Sequence, residues 1–69
     1  MRNLVQEIEN NILDYGYNTA DNNCRKLDIN ELSERIGIDV YSLKVICEAL
    51  FYVNSDYDGN TCVSCYIES

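Results

Sequence analysis

Residues 28–53 contain two helix-start signals separated by a glycine, and this pattern constrains the fold more than any other part of the chain. Asp28 can act as an N-cap, because its carboxylate can accept free backbone N–H groups of the first turn, and Glu31 completes a capping box. Asp39 repeats the N-cap signal. Between them, Gly37 suits the left-handed backbone that commonly ends a helix. We therefore expect two helices joined by a turn of about three residues.

The apolar residues of this segment are spaced so that the two helices would pack against each other. Ser33 supplies a small side chain where the helices approach. The segment resembles a helix-turn-helix module over about 20 residues. The alternative is a plain helical hairpin in which Gly37 is only a stop signal. The predicted packing positions are Leu32, Ile36, Ile38, Leu43 and Ile46.

The rest of the chain predicts one more helix and a β-hairpin. Apolar residues at helical spacing indicate an amphipathic first helix over residues 3–15, ended by Gly16. Residues 17–26 are polar and turn-rich, with a short strand expected around residues 24–27. After the third helix, two β-prone runs flank Asp58–Gly59, a dipeptide that fits a two-residue hairpin turn. The expected fold class is α+β, with three helices and a C-terminal β-hairpin.

This order of elements resembles the winged helix-turn-helix fold, as a single domain over residues 1–69. The resemblance is generic, since the order and spacing of elements define this fold more than signature residues do. It implies that the third helix is a recognition helix and that the hairpin tip, residues 56–60, is the wing. The outward residues of the recognition helix would be Tyr41, Ser42, Lys44, Val45 and Glu48.

The charge of the chain argues against DNA as the ligand of such a module. Twelve Asp and Glu residues oppose five Lys and Arg residues, which gives a net charge of −7. DNA-binding members place cations on phosphates, because each contact releases condensed counterions. Here the wing tip contributes Asp56 and Asp58 and no cation. We therefore expect a protein partner, although scattered carboxylates can also serve only solubility.

Acidic residues without a capping role and outward tyrosines are the predicted partner contacts. Such carboxylates could meet a basic nucleic-acid-binding groove in place of phosphates. Tyrosine is favoured at interfaces because it covers area at small entropic cost. Four other aromatic residues are expected to fill the core, namely Tyr15, Phe51, Tyr52 and Tyr66. The predicted partner-binding residues are Glu34, Tyr41, Lys44, Glu48, Asp56, Tyr57 and Asp58.

Three hypotheses about function follow. The first is a small, acidic, non-catalytic module that binds a protein and blocks a basic nucleic-acid-binding surface. Phage and mobile-element inhibitors of the anti-CRISPR and anti-restriction type are similar in size and charge, without a shared motif. The second is a dimeric DNA-binding transcriptional regulator that reads bases with the third helix and holds the backbone with Arg25, Lys26 and Arg35. The third is an assembly module, a homodimer in which the first helix pairs with its copy.

The four cysteines form the only set that could bind zinc, because the chain has no histidine. Cys62 and Cys65 have the CxxC spacing, but alternation along residues 61–67 would send them to opposite faces of a strand. We therefore expect buried free thiols and no metal or other cofactor. A disulfide between Cys24 and either Cys62 or Cys65 is the alternative.

Neither catalysis nor membrane insertion is expected. The chain lacks histidine, a glycine-rich phosphate loop and a nucleophile elbow, so it is not predicted to be an enzyme. It also lacks an apolar stretch of the kind found in signal peptides and membrane spans. We expect a soluble protein in the cytoplasm, which is the host cytoplasm if the chain is viral.

Overall fold

The computed structural model describes residues 3–18, 23–55 and 58–66, and these residues form an α+β fold, as predicted. They comprise three helices and four strands. The helices are α1 (Leu4–Tyr15), α2 (Ile29–Ile36) and α3 (Val40–Leu50). The strands are β1 (Tyr17–Asn18), β2 (Cys24–Asp28), β3 (Tyr52–Ser55) and β4 (Thr61–Tyr66).

The four strands form one antiparallel sheet in the order β1-β2-β4-β3. Val63 in β4 pairs with Leu27 on one side and with Val53 on the other. The three helices pack on the face of the sheet that carries these residues, because Leu27 and Val63 belong to the same buried cluster as helix residues. The fully buried helix residues in that cluster are Ile8, Ile12, Ile29, Leu32, Leu43 and Cys47.

Each of the three helices begins at a side-chain cap. The Asn3 side chain accepts from the backbone N–H of Gln6 at 3.0 Å, and Asp28 accepts from that of Asn30 at 2.7 Å. The caps predicted at Asp28 and, for α3, at Asp39 are therefore confirmed. Each cap satisfies a donor that the first turn leaves without an intrahelical partner.

Gly16 ends α1, as predicted, and it is required there for lack of space. A β-carbon at this position would lie 2.8 Å from the backbone oxygen of Lys26 and would collide with that of Ile12. The end of α1 thus approaches β2 so closely that only glycine fits between them. This contact joins the first helix directly to the sheet.

Two expectations about the strands are wrong. Residues 17–26 were predicted to be turn-rich with a short strand around residues 24–27. That strand is present as β2, but the strand β1 that pairs with it, with Tyr17 opposite Lys26, was not predicted. The turn at Asp58–Gly59 was predicted to contain two residues, whereas Ser55 pairs with Thr61 and the connection comprises residues 56–60. The turn preference is local, while the register is fixed by packing of Val53 and Val63 in the sheet.

Three of the four aromatic residues predicted to fill the core are exposed instead. Tyr15 lies at the exposed end of α1, and Tyr52 and Tyr66 extend from the face of the sheet opposite the helices, which we call the outer face. Phe51 alone is partly buried and packs against the core. The prediction failed because isoleucine, leucine and cysteine already fill the small interior.

Candidate functional site

The start of α3 is held rigidly by the turn that precedes it. Gly37 adopts a left-handed conformation with φ of 75°, which places no strain on a residue without a β-carbon. The Ser33 hydroxyl donates to the backbone oxygen of Ile38 at 2.5 Å. Asp39 accepts from the backbone N–H of Ser42 at 2.9 Å, and this hydrogen bond lowers the pKa of Asp39. The orientation of α3 relative to α2 is therefore fixed by backbone and side-chain contacts.

Four of the five residues of α3 that were predicted to point outward are exposed, and the fifth, Ser42, is partly buried. Tyr41 is 78 % exposed and Val45 is 58 % exposed, and Lys44 and Glu48 are also exposed. At 3.6 residues per turn these four positions fall within about 100° of the helix surface. The face therefore combines two large uncovered side chains with one cation and one anion. We call these four residues the α3 face.

A groove of about 620 Å³ runs between α3 and the β3–β4 hairpin. Lys44 and Glu48 line its helix side, and both belong to the α3 face. Sequence reasoning missed the hairpin side of the groove, because it depends on the register of β3 and β4. The residues that line this side include Phe51, Val53, Ser55 and Thr61.

The other predicted partner contacts do not join this groove. Glu34 is exposed on α2 and does not line the groove, and Asp58 is exposed in the hairpin connection. Asp56 and Tyr57 lie outside the described residues. The structure thus brings Tyr41, Lys44, Val45 and Glu48 together on α3. Among the described carboxylates of the prediction, Glu34, Glu48 and Asp58 lie on α2, on α3 and in the hairpin connection, respectively.

The cations that a DNA-binding mode would use are engaged elsewhere. The Arg25 side chain donates to the backbone oxygen of Leu13 at the end of α1 and to the Asn18 side chain. The Arg35 guanidinium lies 3.6 Å from the centre of the Tyr15 ring and 3.9 Å from a Glu31 carboxylate oxygen.

Lys26, the third such cation, lies on the outer face of the sheet with its ammonium group 5.3 Å from the Tyr17 ring centre. Only Lys44 contributes positive charge to α3 itself. In this structure the Arg25 and Arg35 side chains contact α1 and the Lys26 side chain contacts Tyr17.

The four cysteines are free thiols. Burial raises the pKa of Cys47 to about 11, and burial, with a smaller contribution from Glu9 and Cys24, raises the pKa of Cys65 to about 11. Cys62 and Cys65 lie on opposite faces of β4, because Cys65 belongs to the helix-side core and Cys62 does not. Over the described residues, no cluster of Cys, Asp or Glu is arranged to hold a metal ion.

No protein-family model, curated protein or solved structure matches this chain. Within the described ranges, no helix has the length and apolar character needed to cross a membrane.

Proposed function

We propose that this chain is a non-catalytic binding module of the winged helix-turn-helix type that recognises a protein through the α3 face. In this proposal the partner carries a basic, nucleic-acid-binding surface, and the acidic module blocks it. The order of elements supports the fold assignment, since one helix and the strands β1 and β2 precede the α2–α3 pair and a hairpin follows it.

The exposure of Tyr41 and Val45 on one face of α3 is the observation that carries the proposal. Large apolar side chains that are exposed to water next to each other often mark an interaction surface. Tyrosine anchors flanked by polar residues are typical of protein interfaces. A helix that reads DNA would carry a net positive charge on its outward face. On the α3 face the positive charge of Lys44 is balanced by the negative charge of Glu48.

The first experiment is a gel-shift titration with random-sequence duplex DNA at low salt. Phosphate-driven binding is strongest under this condition. We expect no shift, because the chain carries a net charge of −7 and Lys44 is the single cation on α3. A salt-sensitive shift would instead support the alternative, a DNA-binding transcriptional regulator.

The second experiment measures capture of a protein from lysate by the tagged wild type and by the Tyr41→Ala/Val45→Ala variant. We expect the double variant to lose about tenfold or more of the captured protein, because anchor residues contribute most of the binding energy. Leu50→Ala is the matched control, since Leu50 and Val45 are equally exposed at 58 % but lie on different sides of α3. Equal capture by wild type and double variant would remove the α3 face from the interface.

The same capture assay tests the chemistry of the partner surface. Excess duplex DNA added to the washed complex should release the partner if the two ligands compete for one basic surface. Glu34→Lys and Glu48→Lys should weaken capture as well, each through lost charge complementarity. If excess DNA does not release the partner and neither charge reversal weakens capture, the partner surface is not basic. That result would not contradict the proposal that the α3 face binds the partner.

A further inference from the structure

The strand β3 is an open edge of the sheet. Within the described residues it pairs with β4 on one side only. Proteins usually protect such edges with charges, proline, bulges or very short strands, because unpaired backbone groups recruit other chains. The opposite edge, β1, contains only two residues. In contrast, the four residues of β3, Tyr52–Ser55, include neither a charge nor a proline.

The groove described above lies along this open edge. Phe51 and Val53 are only partly buried and form apolar parts of its lining. Lys44 and Glu48, which lie one helical turn apart on α3, line the opposite side of the groove. The groove therefore offers backbone hydrogen bonds along β3, apolar contacts beside it and two opposite charges on its helix side.

We propose that a second copy of this chain occupies this edge, with the two β3 strands paired antiparallel around a two-fold axis. The two four-stranded sheets would then form one continuous sheet. A two-fold interface is self-complementary, so a contact from residue i to residue j is repeated from j to i. Because α3 directly precedes β3, the two α3 helices run in opposite directions, and Lys44 faces Glu48 of the partner subunit at two equivalent places.

Charge selects a second copy over other occupants of the groove. The described residues of the groove contribute one cation, Lys44, and one anion, Glu48, and the two-fold axis brings each opposite its complement. A single-stranded nucleic acid would meet a chain of net charge −7 with no excess of cations at the groove. Lys44 and Glu48 belong to both the α3 face and the groove, whereas Tyr41 and Val45 do not line the groove, so dimerisation of the purified chain tests this proposal without the partner proposed above.

Sedimentation equilibrium from micromolar to millimolar concentration tests the dimer. We expect the wild type to show a concentration-dependent monomer–dimer equilibrium. Lys44→Glu and Glu48→Lys should each weaken dimerisation about tenfold, because each converts two attractive pairs into two repulsive ones. The combined variant K44E/E48K restores opposite charges across the axis and should regain dimerisation close to that of the wild type.

Glu34→Lys is the matched control for Glu48→Lys, since it changes the net charge equally at an exposed site on α2 that does not line the groove. A lower net charge reduces general repulsion, so this control should dimerise at least as well as the wild type. Weakening by Glu48→Lys but not by Glu34→Lys would therefore reflect the position of the charge.

Amide hydrogen exchange supplies a second readout. Alternate amides of β3 point away from β4, and their exchange should slow as the protein concentration rises. A wild type that remains monomeric at millimolar concentration overturns the proposal and leaves the edge to a peptide from another protein. The proposal is also overturned if the protein dimerises, but neither charge reversal weakens the dimer and amide exchange in β3 does not slow with concentration. The interface would then lie elsewhere, for example on α1.

Discussion

The inner strand β4 has buried residues on both faces of the sheet, but the two faces are covered by different means. On the helix side, Leu27 and Val63 are covered by aliphatic side chains from the helices. On the outer face, Cys62 and Ser64 are 1 % and 4 % exposed although all three helices pack on the opposite side. Side chains from neighbouring strands cover them, and the Tyr17 hydroxyl lies 3.9 Å from the Cys62 sulfur. Two residues of β4 are thus buried on a face of the sheet that none of the three described helices covers.

The helix side chains on one face of the sheet and the tyrosines on its outer face contribute differently to the free energy of unfolding. Helix side chains remove apolar area from water on both contacting surfaces, whereas half-exposed tyrosines leave much of their own area in water. We therefore expect the free energy of unfolding to depend strongly on the helix side of the sheet and weakly on its outer face.

The largest effect is expected for Leu27→Ala. Leu27 is 2 % exposed in the helix-side core, and removing a buried leucine side chain costs about 2–5 kcal/mol of unfolding free energy. The matched control is Lys26→Ala, the preceding residue of the same strand, whose side chain lies on the outer face; it should cost less than about 1 kcal/mol. Urea denaturation measures both values, and equal losses would contradict the asymmetry.

An intermediate effect is expected at alkaline pH, and it also reports on the helix side. Cys47 and Cys65 have a pKa of about 11 when folded, above the value of 9.0 that an unfolded cysteine has. A raised folded pKa contributes stability fully below pH 9, and this contribution is lost as pH rises towards 11. Two pKa units correspond to an upper limit of about 2.7 kcal/mol for each thiol.

Urea denaturation between pH 8 and pH 11 measures this loss. Tyrosine and lysine ionise in the same range, so the matched comparison is the double variant Cys47→Ala/Cys65→Ala. This variant should be less stable than the wild type near neutral pH but should lose less stability between pH 9 and pH 11. Parallel pH profiles for the two proteins would show that the thiols are not buried as described.

Local signals in the sequence predicted the helices, because caps and a helix-ending glycine act within a few residues. Asp28 and Asp39 cap the predicted helices, and Gly37 has the expected left-handed backbone. The sheet was harder to predict. The β1–β2 hairpin forms because β2 pairs with β4 across a long stretch of sequence, and the polar residues around it gave no periodic signal.

The candidate site divides in the same way. Tyr41, Lys44, Val45 and Glu48 could be predicted, because the outward face of a helix follows from its own period. The hairpin side of the groove could not, because it depends on strand order and register. The exposure of Tyr52 and Tyr66 was also missed, since their hydrophobicity gives no indication of which face of a sheet the helices cover.

The smallest effect concerns the outer face itself. The rings of Tyr52 and Tyr66 meet edge to face, with centroids 5.4 Å apart and an interplanar angle of 85°. Such pairs contribute about 0.5–1.5 kcal/mol beyond the area they bury. We expect a double-mutant cycle of Tyr52→Ala and Tyr66→Ala, read by urea denaturation, to give a coupling energy in that range.

The control cycle combines Tyr66→Ala with Tyr41→Ala, because Tyr41 is an exposed tyrosine on α3, on the helix side of the sheet. Distant, independent sites add within about 0.5 kcal/mol, so this cycle should show no coupling above that level. If the Tyr52–Tyr66 cycle gives the same small value as the control, the two rings lie side by side without stabilising each other. In that case the contact between the Tyr52 and Tyr66 rings would not help to hold the two side chains in place on the outer face. Their packing against the sheet, where Cys62 and Ser64 are buried, would do so instead.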